Sequence, residues 1–198
     1  MKFSSIFAKS VRILTLAPIM ALATLVTLYI SDPSLFGEPY MFILAIVFLC
    51  VLPLLAYPCQ PITPYFKHKG REGQRTLAMI FAVSGYVLGC ITNLFLNAPV
   101  MLWFVYLIYL ISGVTIVILN KAFNLRASAH ACGVAGPTVL LMYFGIPLAV
   151  IPGTVLFSLA LWASVRMRRH TFTQFVGGAI VPLVMLGILH VAFLLLFF

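Results

Sequence analysis

The sequence predicts an all-α fold, a polytopic transmembrane helix bundle of about seven helices, and three observations carry that expectation. Of the 198 residues, 64% are hydrophobic and 8% are charged, where soluble domains carry about 25% charged residues. The apolar residues gather into runs long enough to cross a hydrocarbon core of about 30 Å, which takes about 20 helical residues. Those runs lack the alternation of a membrane barrel, and only helices and closed barrels satisfy their backbone polar groups in lipid.

The elements follow in order along the chain. The first apolar run, about 11–30, stands behind Lys2, Lys9 and Arg12 and shows no signal-peptide cleavage site, so it reads as a retained helix. The second, 39–57, follows the turn at Asp32-Pro33, and the third, 76–95, follows a basic loop that contains Lys67, His68, Lys69 and Arg71. Asn97-Ala98-Pro99 marks the joint to the fourth, 98–119. The fifth, 129–145, carries the small residues Ala129, Ala131, Gly133, Ala135 and Gly136, a composition that lets helices approach closely. Gly145-Ile146-Pro147 leads to the sixth, 147–165, and the seventh covers 172–197. With no internal repeat, the whole of 1–198 reads as one membrane domain.

Charge provides an independent test of the count. The net charge is +9, from twelve Lys or Arg against three acids, and Lys and Arg concentrate on the cytoplasmic side of membrane proteins. Seven crossings put Lys2, Lys9 and Arg12 on the same side as Lys67, Lys69, Arg71 and Arg75, as Lys121 and Arg126, and as Arg166, Arg168 and Arg169. The opposite loops carry only Asp32 and Glu38. The expectation is a multi-pass cell-membrane protein with its N-terminus cytoplasmic and its C-terminus outside. The same distribution, in short loops between apolar runs, argues against nucleic-acid binding.

Other chemistry-bearing residues point to structure. Cys50, Cys59, Cys90 and Cys132 lack metal-site spacing and read as small apolar residues. His190 lies twenty residues beyond His170 on one helix, about 30 Å along the axis, so the two share no centre. His190 reads as an interhelical hydrogen-bonding residue and His68 as part of a solvated loop. No Asp or Glu follows Glu72, which leaves no carboxylate there to hold a divalent cation. No metal and no cofactor are expected.

One constellation remains. Lys121, Arg126 and Ser128 precede the fifth run, which His130 opens, and Arg166, Arg168 and Arg169 precede the seventh, which His170 opens. Singly, such features anchor helices among lipid headgroups. Parity brings both histidines to one membrane edge among basic side chains, and helix N-termini add free N–H groups and partial positive charge, a setting for an anion such as phosphate.

The order Lys…Arg, then Ser-x-His, then an Arg-rich stretch ending in His170-Thr171-x-x-Gln174 resembles the type 2 phosphatidic acid phosphatase superfamily of membrane lipid phosphatases. The resemblance covers about 98–197, which would be the last four helices of that family's six-helix core. The second and third runs would supply the other two, and 11–30 would be an added N-terminal helix. It implies hydrolysis of a membrane lipid phosphomonoester or pyrophosphate at the cytoplasmic edge. Lys121, Arg126, Ser128 and Arg166 would bind phosphate, His130 would protonate the leaving alkoxide, and His170 would be the nucleophile that forms a phosphohistidine. The family's third motif has an Arg six residues before its His, where Ser164 stands, and an Asp four residues after it, where Gln174 stands. Arg166 would replace the former, and the amide oxygen of Gln174 would orient His170. The alternative favoured by Ser164 and Gln174 is a non-catalytic lipid-phosphate binder, carrier or flippase on the same fold. Which lipid it takes, and the oligomeric state, are not written in these residues.

Overall fold

The computed structural model describes residues 2–197, with side chains from 6 to 195. The side chain of Lys2, one of the charges used above for topology, lies outside the described residues. The fold is all-α, and no strand occurs among the described residues.

The helices are α1 (Lys2–Leu14), α2 (Ala17–Ser31), α3 (Pro39–Ile62), α4 (Gly70–Phe95), α5 (Val100–Lys121), α6 (Ala129–Tyr143), α7 (Pro147–Arg166) and α8 (Phe172–Phe197). Five of them, α3, α4, α5, α7 and α8, are long and apolar enough to cross a membrane, and a sixth crossing is available if α1 and α2 act together. These are the lengths and composition of a multi-pass membrane protein. Large apolar side chains such as Ile80, Ile151 and Leu195 stand exposed along them, as lipid-facing residues do.

Two of the seven expected crossings differ from the reading above. The first is a pair: α1 and α2 meet at a 47° bend. Pro18 lies in the first turn of α2, where its missing N–H is tolerated and a continuous helix is not. The helix also starts earlier than expected, because α1 is amphipathic, with Ala8 and Val11 buried while Lys9 and Ile13 are exposed. The second is α6, whose 15 residues span about 22 Å at 1.5 Å per residue, short of a hydrocarbon core.

The chain divides into two compact units, residues 1–24 with 111–198, and residues 25–110, the boundaries falling inside α2 and α5. In the first unit, Met20, Ala131, Val134, Ala160, Phe175 and Ala179 form a buried cluster between α2, α6, α7 and α8. Lipid tails are as apolar as leucine, so such helices associate by close packing and small residues rather than by the hydrophobic effect. Gly133 shows this directly: a Cβ there would lie 2.5 Å from that of Ala17. A smaller cluster, Ala8, Val11 and Ala163, lays α1 along the end of α7, with the rings of Phe7 and Trp162 5.7 Å apart.

The second unit is aromatic. Tyr29 stacks on Phe42 at 4.2 Å, and both flank Phe36. Gly89 gives its place to the ring of Tyr106, which a Cβ would overlap. A π-helical turn at Val47–Val51 stands just before Pro53 in α3, a local adjustment of the kind a proline in a helix requires. Of the four cysteines, Cys50 and Cys132 are buried and Cys59 and Cys90 partly so, all unpaired as thiols.

Candidate functional site

The functional candidates of the first unit gather where several helix ends meet. At the end of α7, Arg169 N donates to Ser164 O at 2.9 Å and Arg168 N to Val165 O at 2.9 Å. This is the Schellman arrangement, with Arg168 in the left-handed position that glycine usually takes. The end of α6 carries the same arrangement with Gly145 at φ 81°, whereas Arg168 stands at φ 51°. An L side chain there costs about 1 kcal/mol. The turn carries the chain directly to His170.

The start of α8 is fixed by a reciprocal cap. Gln174 N donates to Thr171 Oγ1 at 3.3 Å, and Thr171 N donates to Gln174 Oε1 at 3.2 Å. Thr-x-x-Gln is a capping box, in which the first residue's hydroxyl and the last residue's amide each satisfy a backbone N–H the helix would leave open. Gln174 was expected to orient His170. Its oxygen serves Thr171 instead, and the buried Nδ1 of His170 makes no hydrogen bond to it. The physical reason is reach: the backbone N–H lies one turn back along the same helix, where capping geometry places the amide.

The start of α6 is tied to α8. Ser128 is fully buried, its Oγ accepts from Ala131 N at 3.2 Å, and its N–H donates to Gln174 O at 3.0 Å. Any Cβ at residue 178 would overlap the Ser128 backbone, so Gly178 is what allows the two chains to touch. Ser128 was expected among the phosphate ligands. It caps α6 and is buried. Asn120 Nδ2 donates to Ala127 O at 2.9 Å and thereby closes the loop between α5 and α6.

His130 is the second residue of α6 and is half-buried. Its Nε2 lies 3.0 Å from Thr15 Oγ1, and the same hydroxyl lies 2.7 Å from Val11 O, to which it donates. A hydroxyl has one proton. With that proton on Val11, Thr15 accepts from His130, so Nε2 carries the ring's proton in the neutral state and Nδ1 is left with a lone pair. Three residues before Thr15, in the last turn of α1, Arg12 Nη1 donates to Ser164 Oγ at 3.0 Å. Arg12 and His170 are the charged or titratable groups acting electrostatically on His130. The bend between α1 and α2 therefore delivers two groups, a guanidinium and a hydroxyl, to the histidine pair.

The expected residues thus divide. His130 and His170 stand at the neighbouring starts of α6 and α8, which the Ser128 N to Gln174 O bond ties together. Lys121, Arg126 and Arg166 are exposed. Lys121 and Arg166 each end a helix, where a cation complements the negative end of the helix dipole. Arg126 stands at φ 52° and Asn124 at φ 53° in the loop that follows α5. The residues that sequence reasoning missed are Arg12 and Thr15. Their signal was present: Arg12 is a single charge between Val11 and Ile13 inside an apolar run, followed by Thr15 and Pro18.

At the other end of α6, Tyr143 Oη lies 3.0 Å from His190 Nδ1, an interhelical hydrogen bond of the kind expected for His190. Compared with known proteins, the chain matches no family model, no curated sequence and no solved structure.

Proposed function

We propose that this chain is a divergent member of the type 2 phosphatidic acid phosphatase superfamily that hydrolyses a membrane lipid phosphomonoester or pyrophosphate through a phosphohistidine, in the cell membrane and at its cytoplasmic face. The observation that carries the reading is the junction of helix ends at which Thr15 holds His130 and Ser164 holds both Arg12 and the turn that leads to His170, in a unit that contains eight Lys or Arg and no Asp or Glu. An anion is what such a place accepts.

In this reading the imidazole of His170 attacks phosphorus, the bond from phosphorus to the lipid oxygen breaks, and His130 gives that oxygen a proton. Water then attacks the phosphohistidine and gives a proton to His130 as the phosphorus–nitrogen bond breaks, which releases inorganic phosphate and restores both histidines. With Nε2 bonded to Thr15, the lone pair of His130 Nδ1 is the position that takes up a proton and passes it to the leaving group. The loop at Arg168 and Arg169, wound tight by its Schellman cap, sets the approach of His170.

A second reading has a specific observation in its favour. Gln174 is occupied by its cap, and no carboxylate of the unit is available to stabilise a His170 imidazolium. Such a site suits a lipid-phosphate binder, carrier or flippase. Phosphate release by the detergent-purified protein separates the two. With EDTA present, the phosphatase reading expects release from phosphatidic acid, phosphatidylglycerol phosphate or a polyprenyl pyrophosphate, and His170→Ala lowers it at least about a thousandfold. Retained lipid phosphate with no release from any of the three would establish the binder.

A further inference from the structure

We propose that the segment 62–75, which joins α3 to α4, is a binding surface for anionic phospholipids, with Ile62 and Tyr65 seated in the interfacial layer of the bilayer and Lys67, Arg71 and Arg75 gathering acidic headgroups beside them. The inference concerns the second unit, uses none of the groups at the histidines, and stands whether or not the chain is a phosphatase.

Three observations lead to it. The first is place. Both α3 and α4 are long and apolar enough to cross a membrane, and the segment runs from Ile62, the last residue of one, into Gly70 at the start of the other. It therefore lies where hydrocarbon gives way to water. The second is what the surface shows. Lys67, Lys69, Arg71 and Arg75 are exposed, with Glu72 the one acid among them, and Ile62 and Tyr65 are 77% and 69% exposed. Charge alone would suit a loop in water, but open apolar side chains beside it would not. Aromatic rings at headgroup level are favoured at the membrane–water interface, and a cluster of basic residues next to a crossing attracts anionic lipid.

The third is that the segment is wound on itself, which holds these groups together. Gln60 Nε2 donates to Gly70 O at 2.6 Å and to Phe66 O at 3.4 Å, and Thr63 Oγ1 donates to Cys59 O at 2.7 Å. Gly73 N donates to Lys69 O at 3.2 Å. A Cβ at residue 73 would lie 2.7 Å from that of Lys69, so Gly73 is what lets the turn lie against α4. On that turn the Lys69 ammonium stands 3.4 Å from the centre of the Tyr65 ring, which keeps a cation and an amphipathic ring at one level. Lys67 and Arg71 flank Lys69 in the sequence, and Arg75 follows Arg71 by four residues on α4, a spacing that puts the two guanidinium stems on one face.

The test sets a tryptophan in the segment of the full chain and asks which lipid surrounds it. The Ile62→Trp protein is reconstituted into vesicles of phosphatidylcholine with a minor, fixed fraction of phosphatidylglycerol. Either the phosphatidylglycerol or an equal amount of the phosphatidylcholine is brominated, and quenching is taken as the difference from the parent chain, whose own tryptophans are Trp103 and Trp162. At low salt, brominated phosphatidylglycerol is expected to quench residue 62 about twofold more than brominated phosphatidylcholine, or better. Ile151→Trp places the probe at an exposed position far in sequence from any Lys or Arg, and the same ratio there is expected to be about one. Lys67→Gln, Arg71→Gln and Arg75→Gln together bring the ratio at residue 62 down to about one. Raising the salt from about 0.05 M to about 1 M does the same with the segment's cations intact, because screening then acts within about 3 Å. Equal quenching by the two lipids at residue 62, a preference as large at residue 151, or a preference that survives the three substitutions or high salt overturns the proposal. So does an absence of quenching by either lipid, which would leave Ile62 in water. If the protein with three Gln does not elute as a single species, the salt series decides, and if the Ile62→Trp protein does not, Tyr65→Trp carries the probe.

Discussion

The two units of this chain handle polar residues in opposite ways. Residues 25–110 hold four Lys or Arg against all three acids of the sequence, and the side chains of Asp32, Gln60 and Thr63 there make local hydrogen bonds. Asp32 accepts from Ser34 N at 3.0 Å, and Gln60 Nε2 donates to Gly70 O at 2.6 Å. Lys69 lies over the ring of Tyr65 at 3.4 Å; its hydrogen bond and then its charge hold the Tyr65 hydroxyl below the usual range. The first unit holds eight Lys or Arg and no Asp or Glu, and beside its local caps it has polar contacts that join distant segments: Arg12 with Ser164, Thr15 with His130, Ser128 with Gln174. Local polar bonds finish turns. Polar bonds between distant helices in a membrane fold fix one arrangement of groups, and there the interhelical geometry is where function is built.

That contrast can be sharpened by one pair of substitutions and a control. Gly178→Ala and Gly89→Ala each place a methyl group where another group already stands, against the Ser128 backbone and the Tyr106 ring. Each is expected to cost about 1 to 3 kcal/mol, seen as a lower unfolding temperature in detergent. Gly177→Ala, with open space around it, serves as the control and is expected to leave that temperature within a degree or so. Only Gly178→Ala moves the cap of α6 and with it His130, so it alone also lowers phosphate release per folded molecule. Equal losses of release from Gly178→Ala and Gly89→Ala would erase the division of labour between the units.

A smaller effect is expected from Thr15→Val. The substitution keeps shape and removes the acceptor at Nε2, and one such hydrogen bond is worth about 1 kcal/mol, or several-fold in rate. The account expects kcat to fall several-fold with KM nearly unchanged, because the bond sets the proton on His130 rather than the grip on lipid. A change in KM alone would mean that Thr15 shapes the entrance and leaves the ring to itself.

Much of the fold was legible in the sequence because membrane crossing is written in local composition. The runs ending near Phe95 and Lys121 and the whole of 172–197 needed only length and hydropathy, and the stretch from Ala129 to Gly136 announced close packing. Helix parity assigned His130 and His170 to one edge, and the Ser128 N to Gln174 O bond joins the starts of their two helices. What was not legible depends on contacts between distant segments or on competition within a turn. Arg12 and Ser164 are 152 residues apart, and no local pattern links them. The bend before Ala17 is a contest between a long apolar run and Pro18. Gln174 was read for its chemistry, yet Thr171-x-x-Gln174 was also a visible capping box, and the backbone N–H took the amide.

The most direct test of the central claim is to look for the phosphoryl group on His170. The protein is mixed with phosphatidic acid carrying a labelled phosphate, quenched in base within one turnover, and the chain is mapped for label that acid removes. The account predicts base-stable, acid-labile label on the peptide containing His170, absent in His170→Ala. Turnover without any label on that peptide, or label that persists in His170→Ala, would contradict it.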